Sequence, residues 1–200
     1  MTSPMISSRR RTTRVAGDAA LLIDAPGIAG RLATAITAAA LPGILDIVPG
    51  ACTVLVITEP GHWDHAELEQ RILALPLPDE ADTGAAEVEI PVSYDGADLT
   101  EVAMLTGLTV SEVVERHQAA RYRVGWTGFS PGFGYLTGLD PVLAAVPRLA
   151  TPRQSVPAGS VAIAGGLAAV YPRASPGGWR LLGRTPTLIW DPRRQPPALL

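Results

Sequence analysis

The sequence contains no lysine, and all 16 of the basic residues among its 200 are arginines. This absence excludes functions that require a lysine amine, namely Schiff-base catalysis, pyridoxal phosphate anchoring and the P-loop. Charged residues are also few, at 18%, whereas 47% of the residues are hydrophobic. A chain of this composition is expected to fold, and its length allows one large or two small domains.

Cysteine is almost absent, since Cys52 is the only one, and no disulfide can form within the chain. It precedes the apolar run of residues 53–57, and we expect a buried, structural thiol. No apolar run is long enough to span a bilayer. Three arginines at residues 9–11 are typical of a twin-arginine signal, but Asp18 interrupts the segment that follows. We therefore expect residues 1–13 to be a disordered tail on a cytoplasmic protein.

Acidic and basic residues are distributed unevenly along the chain. Residues 1–120 carry 17 acidic side chains and 7 arginines, whereas residues 121–200 carry 9 arginines and only Asp140 and Asp191 as acids. Two explanations stay open. The arginine-rich part could bind an anionic ligand or an acidic partner surface, or the two parts of the chain could simply attract each other.

The first 95 residues alternate between strand and helix patterns. Amphipathic helices are predicted at residues 28–41 and 64–75, each followed by proline. Strands are predicted at residues 19–24, 44–48, 52–58 and 87–94. The order β-α-β-β-α-β is that of a ferredoxin-like unit. We therefore predict a small ferredoxin-like α+β domain over residues 14–95.

The pattern changes after residue 95, where two short helices are predicted at residues 98–107 and 109–120. Short β-rich runs separated by glycine and proline turns then follow. The runs are RYRVGWTG (121–128), SVAIAG (160–165), AAVYP (168–172), WRLLG (179–183) and TLIW (187–190). Many short strands without intervening helices indicate a small barrel or sandwich. The second domain, residues 96–200, is thus predicted to be a helix pair followed by a β unit.

One familiar catalytic motif occurs in a context that disfavours its usual function. Residues 128–132 match G-x-S-x-G, the nucleophile elbow of serine hydrolases. Pro131 follows Ser130, however, and has no backbone N–H to contribute to an oxyanion hole. All three histidines also precede Ser130, whereas the elbow fold places its histidine last. We do not expect Ser130 to be a nucleophile.

Two further motifs point to DNA and to metal, and both lack support. Residues 102–113 fit a helix-turn-helix, but Glu112 and Glu115 in its second helix would repel DNA phosphates, so a structural helix hairpin is the better interpretation. His62 and His65 lie three residues apart beside Asp64, but nothing else in the sequence supports a metal site there. We expect neither a metal nor a nucleic acid to bind.

Three segments combine glycine and proline with an arginine or hydroxyl and an aromatic residue or apolar run. They are GFSPGFGYLTGLD (128–140), TPRQSVPAGSVAIAG (151–165) and SPGGWRLLGRTP (175–186). This mixture favours a pocket for a small, planar, partly anionic ligand, with Arg153 and Arg184 as bidentate donors. The alternative, which the sequence leaves open, is that these turns and rings only close a small barrel.

In this order and spacing, GFSPGFGYLTGLD, PRQSVPAGSVAIAG and YPRASPGGWRLLGRTP resemble the allophanate hydrolase subunit 1 family. Members of this family are also known as the B component of 5-oxoprolinase, and they include the sporulation-kinase inhibitor of bacilli. The resemblance extends from about Arg14 to Leu200 and implies a cyclophilin-like β-barrel behind the smaller α+β domain. At residues 167–169 this chain has Leu-Ala-Ala, where the family usually has Gln-Thr-Gly.

The resemblance also implies an activity. The chain would be a subunit of an ATP-dependent 5-oxoprolinase, which opens the lactam of 5-oxoproline to glutamate, or of an allophanate hydrolase-type amidohydrolase complex. Its equivalent is also part of the carboxyltransferase region of urea carboxylase. The implied partners are a protein like allophanate hydrolase subunit 2, which is the C component of 5-oxoprolinase, and a third 5-oxoprolinase subunit. ATP and Mg²⁺ would be used by the assembled complex. The alternative is a regulatory module that inhibits a sensor histidine kinase and performs no chemistry itself.

Our hypothesis for the site is electrostatic, because every available cation is a guanidinium. Arg153 and Arg184 would hold the anionic group of a small amide substrate, and glycine backbone N–H groups would stabilise developing negative charge. His117 is the candidate general base, although a structural role for it stays equally open. The expected substrate-binding residues are Phe133, Tyr135, Ser160, Ser175, Gly177, Gly178 and Trp179.

Overall fold

The computed structural model describes residues 12–78 and 87–195. The chain forms two compact units, Met1–Thr83 and Gly84–Leu200. Both combine helices with antiparallel sheets, so the mixed α+β class is as predicted. None of the helices in the described ranges is long and apolar enough to cross a membrane.

The first unit is a four-stranded antiparallel sheet with two helices on one face. Its elements are β1 (Thr13–Val15), β2 (Ala20–Asp24), α1 (Ala29–Ala39), β3 (Ile44–Pro49), β4 (Thr53–Thr58) and α2 (His65–Leu73). The strand order is β1-β2-β4-β3. Alternate residues of the central strands, such as Ile23 and Val56, are fully buried against Leu32 of α1 and Leu68 of α2. The apolar residues that alternate along the strands and those that recur about every 3.6 positions along the helices therefore pack together in one core.

The strand arrangement of this unit differs in one place from the ferredoxin-like prediction, which stays a prediction. Strands β2 and β3 flank β4, which is the arrangement of a split β-α-β unit. The predicted strand at residues 87–94 does not form: only Ser93 makes a bridge, with Arg184, and both residues belong to the second unit. Pro91 interrupts this segment, and its extended pattern did not reveal which strand it would pair with. The place beside β2 is taken instead by β1, which the sequence analysis missed.

Two local predictions in the first unit were wrong. Thr13 belongs to β1 and pairs with Ile23, so the expected disordered tail does not reach residue 13, and residues 1–11 lie outside the described ranges. Cys52 is exposed rather than buried. It lies in the turn between β3 and β4, before the alternation of β4 begins, so the apolar run that follows does not enclose it.

The second unit contains one large and one small antiparallel sheet. Its elements are α3 (Leu99–Thr106), α4 (Val110–Ala119), β5 (Arg123–Thr127), β6 (Gly134–Thr137), α5 (Pro141–Ala144), β7 (Arg153–Val156), β8 (Ser160–Ala164), β9 (Leu167–Val170), β10 (Ser175–Gly177) and β11 (Arg180–Arg184). Five strands form a sheet in the order β11-β8-β9-β6-β5, and β10 pairs with β7 in the second sheet.

Nearly every residue of β8, β9 and β11 is buried, and since successive residues of a strand point to opposite sides, both faces of this part of the five-stranded sheet are covered. Ile163 of β8 and Leu182 of β11 belong to a cluster with residues of α3, α4 and α5. Their neighbours Ala162 and Leu181 belong to a different cluster, which includes Val156 of the two-stranded sheet. The helices therefore cover one face, and β7 with β10 lies against the other.

The predicted helix pair is confirmed, and its ends follow local chemistry. Helix α3 ends at Gly107, whose φ of 69° is left-handed. Helix α4 starts with a capping box, in which the Thr109 side chain accepts from the Glu112 backbone N–H and the Glu112 carboxylate accepts from the Thr109 backbone N–H. Burial is shared with the sheet, which is why two such short helices are stable.

The strand predictions for the second unit were incomplete. Four of the runs contain strands, but residues 187–190 form none, and β6, β7 and β10 were not predicted. These three strands are three or four residues long and rich in glycine, proline or polar residues, so they carry no clear period-2 pattern. Strand β7 pairs with β10 across β8 and β9, and β6 pairs with β9 as well as with its neighbour β5, so tertiary contacts decide much of their structure.

The uneven charge distribution does not follow the division into units. Four arginines after residue 120 form ion pairs with acids between residues 87 and 101, all within the second unit. The pairs are Arg121–Glu87, Arg153–Asp98, Arg180–Glu101 and Arg184–Asp95. Mutual attraction between the acidic and basic stretches is therefore realised inside one unit, and much less free positive charge is left than the sequence indicated.

Candidate functional site

Six aromatic side chains meet in the second unit, in a chain that has only four tryptophans, four tyrosines and two phenylalanines. Phe133 is at the centre and is 2% exposed. Four rings contact its ring edge to face at centroid distances between 5.0 and 5.8 Å. Trp126 stacks on Tyr135 at 5.0 Å. We call this group the aromatic layer: Trp126, Phe129, Phe133, Tyr135, Tyr171 and Trp179.

Arg153, at the start of β7, is fixed by a buried carboxylate. Its Nη2 donates to Asp98 Oδ1 at 2.7 Å, and the other oxygen of Asp98 accepts from the Leu181 backbone N–H at 2.7 Å. Asp98 is only 3% exposed, so this link between α3, β7 and β11 is shielded from water. The remaining nitrogen, Arg153 Nη1, is buried and has no hydrogen-bond partner among the residues that the structure describes.

Strand β10 brings a second unpaired donor to the same region. Ser175 lies opposite Val156, and Gly177 lies opposite Arg153. Because directly opposed residues of an antiparallel pair share a face, Ser175 points to the side on which Val156 is buried with the aromatic layer. The Ser175 hydroxyl is buried, and nothing within residues 12–78 and 87–195 forms a hydrogen bond with it.

Tyr171 connects the aromatic layer to Arg153. A Cβ atom at Gly177 would overlap the Tyr171 hydroxyl, so only glycine permits this close approach. Burial raises the pKa of Tyr171, while the backbone N–H of Trp179 and the charge of Arg153 act in the opposite direction. The phenol is therefore neutral and lies within the field of the Arg153 guanidinium. Tyr171 was missed in the sequence analysis because only the fold places it beside Arg153.

These groups suit a small anion beside a flat apolar surface. A buried donor without a partner costs about 1–3 kcal/mol, and a ligand carboxylate or phosphate is the kind of group that could satisfy Arg153 Nη1 or Ser175 Oγ. Tyr135 and Trp179 are half-buried and offer ring surface at the rim of the layer. Phe133 is enclosed by other rings, so it supports the layer rather than forming a wall open to a ligand.

Arg184 and Ser160 occupy a different position from Arg153. They lie opposite each other where β11 ends and β8 begins. The Arg184 side chain is 73% exposed, and its Nε lies 2.8 Å from Asp95 Oδ2. The Ser160 carbonyl accepts from the Tyr171 backbone N–H at 2.9 Å. The two arginines are thus held by different aspartates, and a joint role in one anion clamp stays a prediction.

Two further places named from the sequence are Gly178, which follows β10, and residues 167–169, which lie in β9. The Gly178 carbonyl accepts from the Leu149 backbone N–H at 2.7 Å, which fixes the turn after β10. In the Leu-Ala-Ala stretch of residues 167–169, Ala168 packs on the helix side and Ala169 packs with the aromatic layer. Two polar side chains implied by the family pattern are thus replaced by apolar ones, one of them at a buried position.

His117 lies on the helix side of the sheet, away from the aromatic layer. It is 6% exposed, and its Nδ1 forms a 2.8 Å hydrogen bond with the Tyr94 hydroxyl. The rings of Tyr94 and Tyr122 contact it, and both tyrosines pack against the helix-side cluster. Burial lowers the pKa of His117 to about 4, so it is neutral near pH 7. The structure does not bring it together with Arg153.

Comparison with known proteins agrees with the motifs. The family model for the carboxyltransferase domain, subdomain C and D, matches residues 12–200. A Bacillus subtilis protein, named as the B component of 5-oxoprolinase, is 34% identical over 209 residues, covering 92% of this chain and 86% of that protein. An Escherichia coli O157:H7 protein of the same name is 40% identical over 164 residues, covering 80% of this chain and 75% of that protein.

Solved structures share the fold. The crystal structure of TTHA0988 aligns with a TM-score of 0.75 and 36% identity over 94% of this chain, which spans only 38% of that longer chain. The Kluyveromyces lactis urea carboxylase aligns with a TM-score of 0.67 over 95% of this chain and 21% of its own. At 19% identity the second likeness shows a shared fold alone.

Proposed function

Because this chain belongs to the family of carboxyltransferase domains, subdomain C and D, together with proteins named as 5-oxoprolinase subunits, we propose that it is one subunit of an ATP-dependent 5-oxoprolinase. The complex would open the lactam of 5-oxoproline to glutamate. A related substrate with a ureido C–N bond, as in allophanate, is the nearest variant of this function. The isolated chain would be inactive, and its use of ATP would place the complex in the cytoplasm.

The single observation that carries the site is the pair of unpaired donors, Arg153 Nη1 and Ser175 Oγ. 5-Oxoproline is a small, flat amide with one carboxylate, and that carboxylate would accept from both donors. The ring of the substrate would lie against Tyr135 and Trp179. Binding through a guanidinium that a buried aspartate already orients loses little entropy, so the anion would be held in one position.

The described residues offer no standard motif for ATP with Mg²⁺. The chain has no lysine for a P-loop, and residues 12–78 and 87–195 hold no group of three or more His, Cys, Asp or Glu side chains that could bind a metal ion. We therefore assign ATP and Mg²⁺ to a partner, either the protein like allophanate hydrolase subunit 2 or the third subunit. Proton transfer would also fall to a partner, because His117 is buried beside Tyr94 on the helix side of the sheet and is not brought together with Arg153.

The detailed fold stays a proposal as well. The five-stranded and two-stranded antiparallel sheets of the second unit are compatible with a cyclophilin-like barrel over residues 96–200. The three strands β2, β4 and β3 are compatible with a ferredoxin-like origin of the first unit.

The test is turnover by the reconstituted complex of this chain with a protein like allophanate hydrolase subunit 2 and a third subunit. Glutamate formation and 5-oxoproline-dependent ATP hydrolysis are measured for Arg153→Ala, Ser175→Ala and the control Arg121→Ala. Arg121 is 85% exposed in its ion pair with Glu87, so its loss should not matter. Removing a charged hydrogen-bond donor from a buried carboxylate costs about 2–5 kcal/mol, so we expect Arg153→Ala to raise KM for 5-oxoproline at least about 30-fold.

Ser175→Ala separates binding from folding, because the hydroxyl has no partner to lose in the free protein. We expect it to keep the stability of the protein and still to raise KM. If Arg153→Ala and Ser175→Ala both match Arg121→Ala in KM, the assigned site is wrong. If the wild-type complex shows no turnover and the chain instead binds a sensor kinase domain tightly, the regulatory alternative replaces the proposed activity.

A further inference from the structure

Phe129 has an unusual backbone conformation. Its φ is 63°, and the only other residue than glycine with positive φ in the described parts of the chain is Ala40, which ends helix α1 in the ordinary left-handed C-cap. Phe129 is at no helix end. The Ser130 backbone N–H donates to the Gly128 carbonyl at 2.6 Å, so a three-residue turn closes around Phe129. A turn of this kind with positive φ is rare and strained.

The loop that carries Phe129 is held in place on both sides. The Phe133 backbone N–H donates to the Ser130 carbonyl at 2.9 Å, across Pro131 and Gly132. With proline second and a glycine of φ 78° third, this is a type II turn. The Gly128 backbone N–H also donates to the Phe133 carbonyl at 3.2 Å. The strain at Phe129 is therefore imposed by its surroundings and does not come from a loose loop.

The strained residue presents its ring to solvent. Phe129 is 60% exposed, although one side of its ring contacts Phe133 at 5.2 Å. Glycine would adopt the same backbone conformation without strain. The neighbouring strand β5 lies at the edge of the five-stranded sheet and carries Val124, which is 62% exposed. A residue that is both strained and exposed is typical of a functional contact, and aromatic side chains are the commonest anchors of protein interfaces.

We propose that Phe129 anchors this chain to the next protein of the complex, by inserting its ring into an apolar recess of that protein. This inference rests on the proposed function, since it assumes a partner like allophanate hydrolase subunit 2. It draws support from TTHA0988, whose matched region is only 38% of a longer chain, so the same fold there continues into further protein. Relatives that match most of this chain are named as part of a multi-subunit enzyme.

The contact would be made by side chains and not by strand addition. The register of β5 shifts between Val124 and Trp126, which is a bulge at Gly125. A bulge twists the edge of a sheet and disfavours pairing with another strand. The turn at Phe129 lies in the loop that joins β5 to β6, and its 60% exposed ring is the feature that a partner surface could enclose.

The experiment measures the affinity of the full chain for the protein like allophanate hydrolase subunit 2 that is encoded in the same genome, by calorimetry or biolayer interferometry. The variants are Phe129→Ala and Phe129→Gly, and the control is Met104→Ala. Met104 is a 71% exposed apolar side chain on α3, on the helix side of the sheet. Because truncation of an interface anchor costs about 2 kcal/mol or more, we expect both Phe129 variants to bind at least about 30-fold more weakly and the control to bind normally.

Thermal unfolding shows whether a weakened complex reflects a lost contact or a damaged fold. Phe129→Gly should unfold at a higher temperature than Phe129→Ala, because only glycine relieves the strain, while both lose the same affinity. Unchanged affinity in both variants overturns the inference and leaves the proposed function intact. If the wild-type chain does not bind the protein like allophanate hydrolase subunit 2, both the role of Phe129 and the proposed function are wrong. If the wild-type chain forms a homodimer and Phe129→Gly dissociates it, the ring contacts a second copy of this chain, and the proposed partner is wrong.

Discussion

Replacing His117 should remove most of the dependence of stability on pH between pH 7.5 and pH 5. His117 is 6% exposed, and its Nε2 is buried without a hydrogen-bond partner. Burial lowers the pKa of His117 from 6.5 to about 4. The unfolded chain therefore binds a proton as the pH falls below 6.5, whereas the folded chain does not. Stability is complete above pH 6.5 and is lost progressively as the pH falls towards 4.

The magnitude follows from the two pKa values. Each unit of pKa difference corresponds to about 1.4 kcal/mol between the protonation states. From pH 7.5 to pH 5 the histidine alone should lower the free energy of unfolding by about 2 kcal/mol, and the full loss below pH 4 should reach about 3 kcal/mol. Carboxylates also titrate near the lower limit, so the interval from pH 7.5 to pH 5 isolates the histidine best.

The assay is urea unfolding at pH 7.5, 6 and 5, with the His117 ring proton followed by NMR. His117→Phe is combined with Tyr94→Phe, so that no phenol is left without its 2.8 Å partner. The double variant should lose about 2 kcal/mol of the pH dependence. Tyr94→Phe alone should keep that dependence, because the pKa shift comes from burial and not from Tyr94.

Two results would refute this reasoning. A His117 ring proton that titrates near pH 6.5 in the folded protein would show that the histidine is hydrated. A double variant with the same pH dependence as the wild type would assign the effect to other groups. The same variant also decides the role of His117 in the complex: retained turnover supports a structural role, and a folded but inactive variant would restore it as the general base.

Two further predictions concern the close packing at Gly177 and the helix cap at Thr109. Gly177→Ala should destabilise the protein by about 1–3 kcal/mol in urea unfolding, because the added methyl group overlaps the hydroxyl of the buried Tyr171. The control is Gly178→Ala, whose methyl group would lie 3.5 Å from Pro152. Equal destabilisation by the two substitutions would contradict the close packing at Gly177. Thr109→Ala should lower the free energy of unfolding by about 1 kcal/mol, because the hydrogen bond from the Glu112 backbone N–H is lost. Thr109→Ser keeps this hydrogen bond and should keep the stability. If both variants unfold like the wild type, the cap does not stabilise helix α4.

Local chemistry made the first unit and the helix pair predictable. The buried and half-buried residues of β2 and β4 alternate as their sequences do, and a proline follows soon after each of the two helices of that unit. The capping box at Thr109 and the left-handed glycine at 107 set the ends of α3 and α4. Each of these signals lies within a few residues of the structure that it determines.

The site could be predicted only as a set of segments. Arg153 was expected because it lies in a motif with glycine and serine, but its partner Asp98 is 55 residues away and was interpreted only as a helix start. Tyr171 and Phe129 were missed as functional residues, since a phenol near a guanidinium and a positive φ are products of the fold. His117 was predicted to be part of the site. It lies instead on the helix side of the five-stranded sheet, and the structure does not bring it together with Arg153.

The absence of lysine has a structural counterpart in the way Arg153 is used. Its guanidinium has two terminal nitrogens: Nη2 is bound to Asp98, and Nη1 is buried without a partner. A lysine ammonium is a single point of attachment on a flexible stem, so it could not be fixed by one carboxylate and present a rigid, planar donor to another. Arginine keeps its charge at any physiological pH, and Asp98 orients that charge before a ligand arrives. In the proposed function the chain would therefore supply a preset electrostatic clamp, and chemistry that needs a proton to move would depend on another protein of the complex.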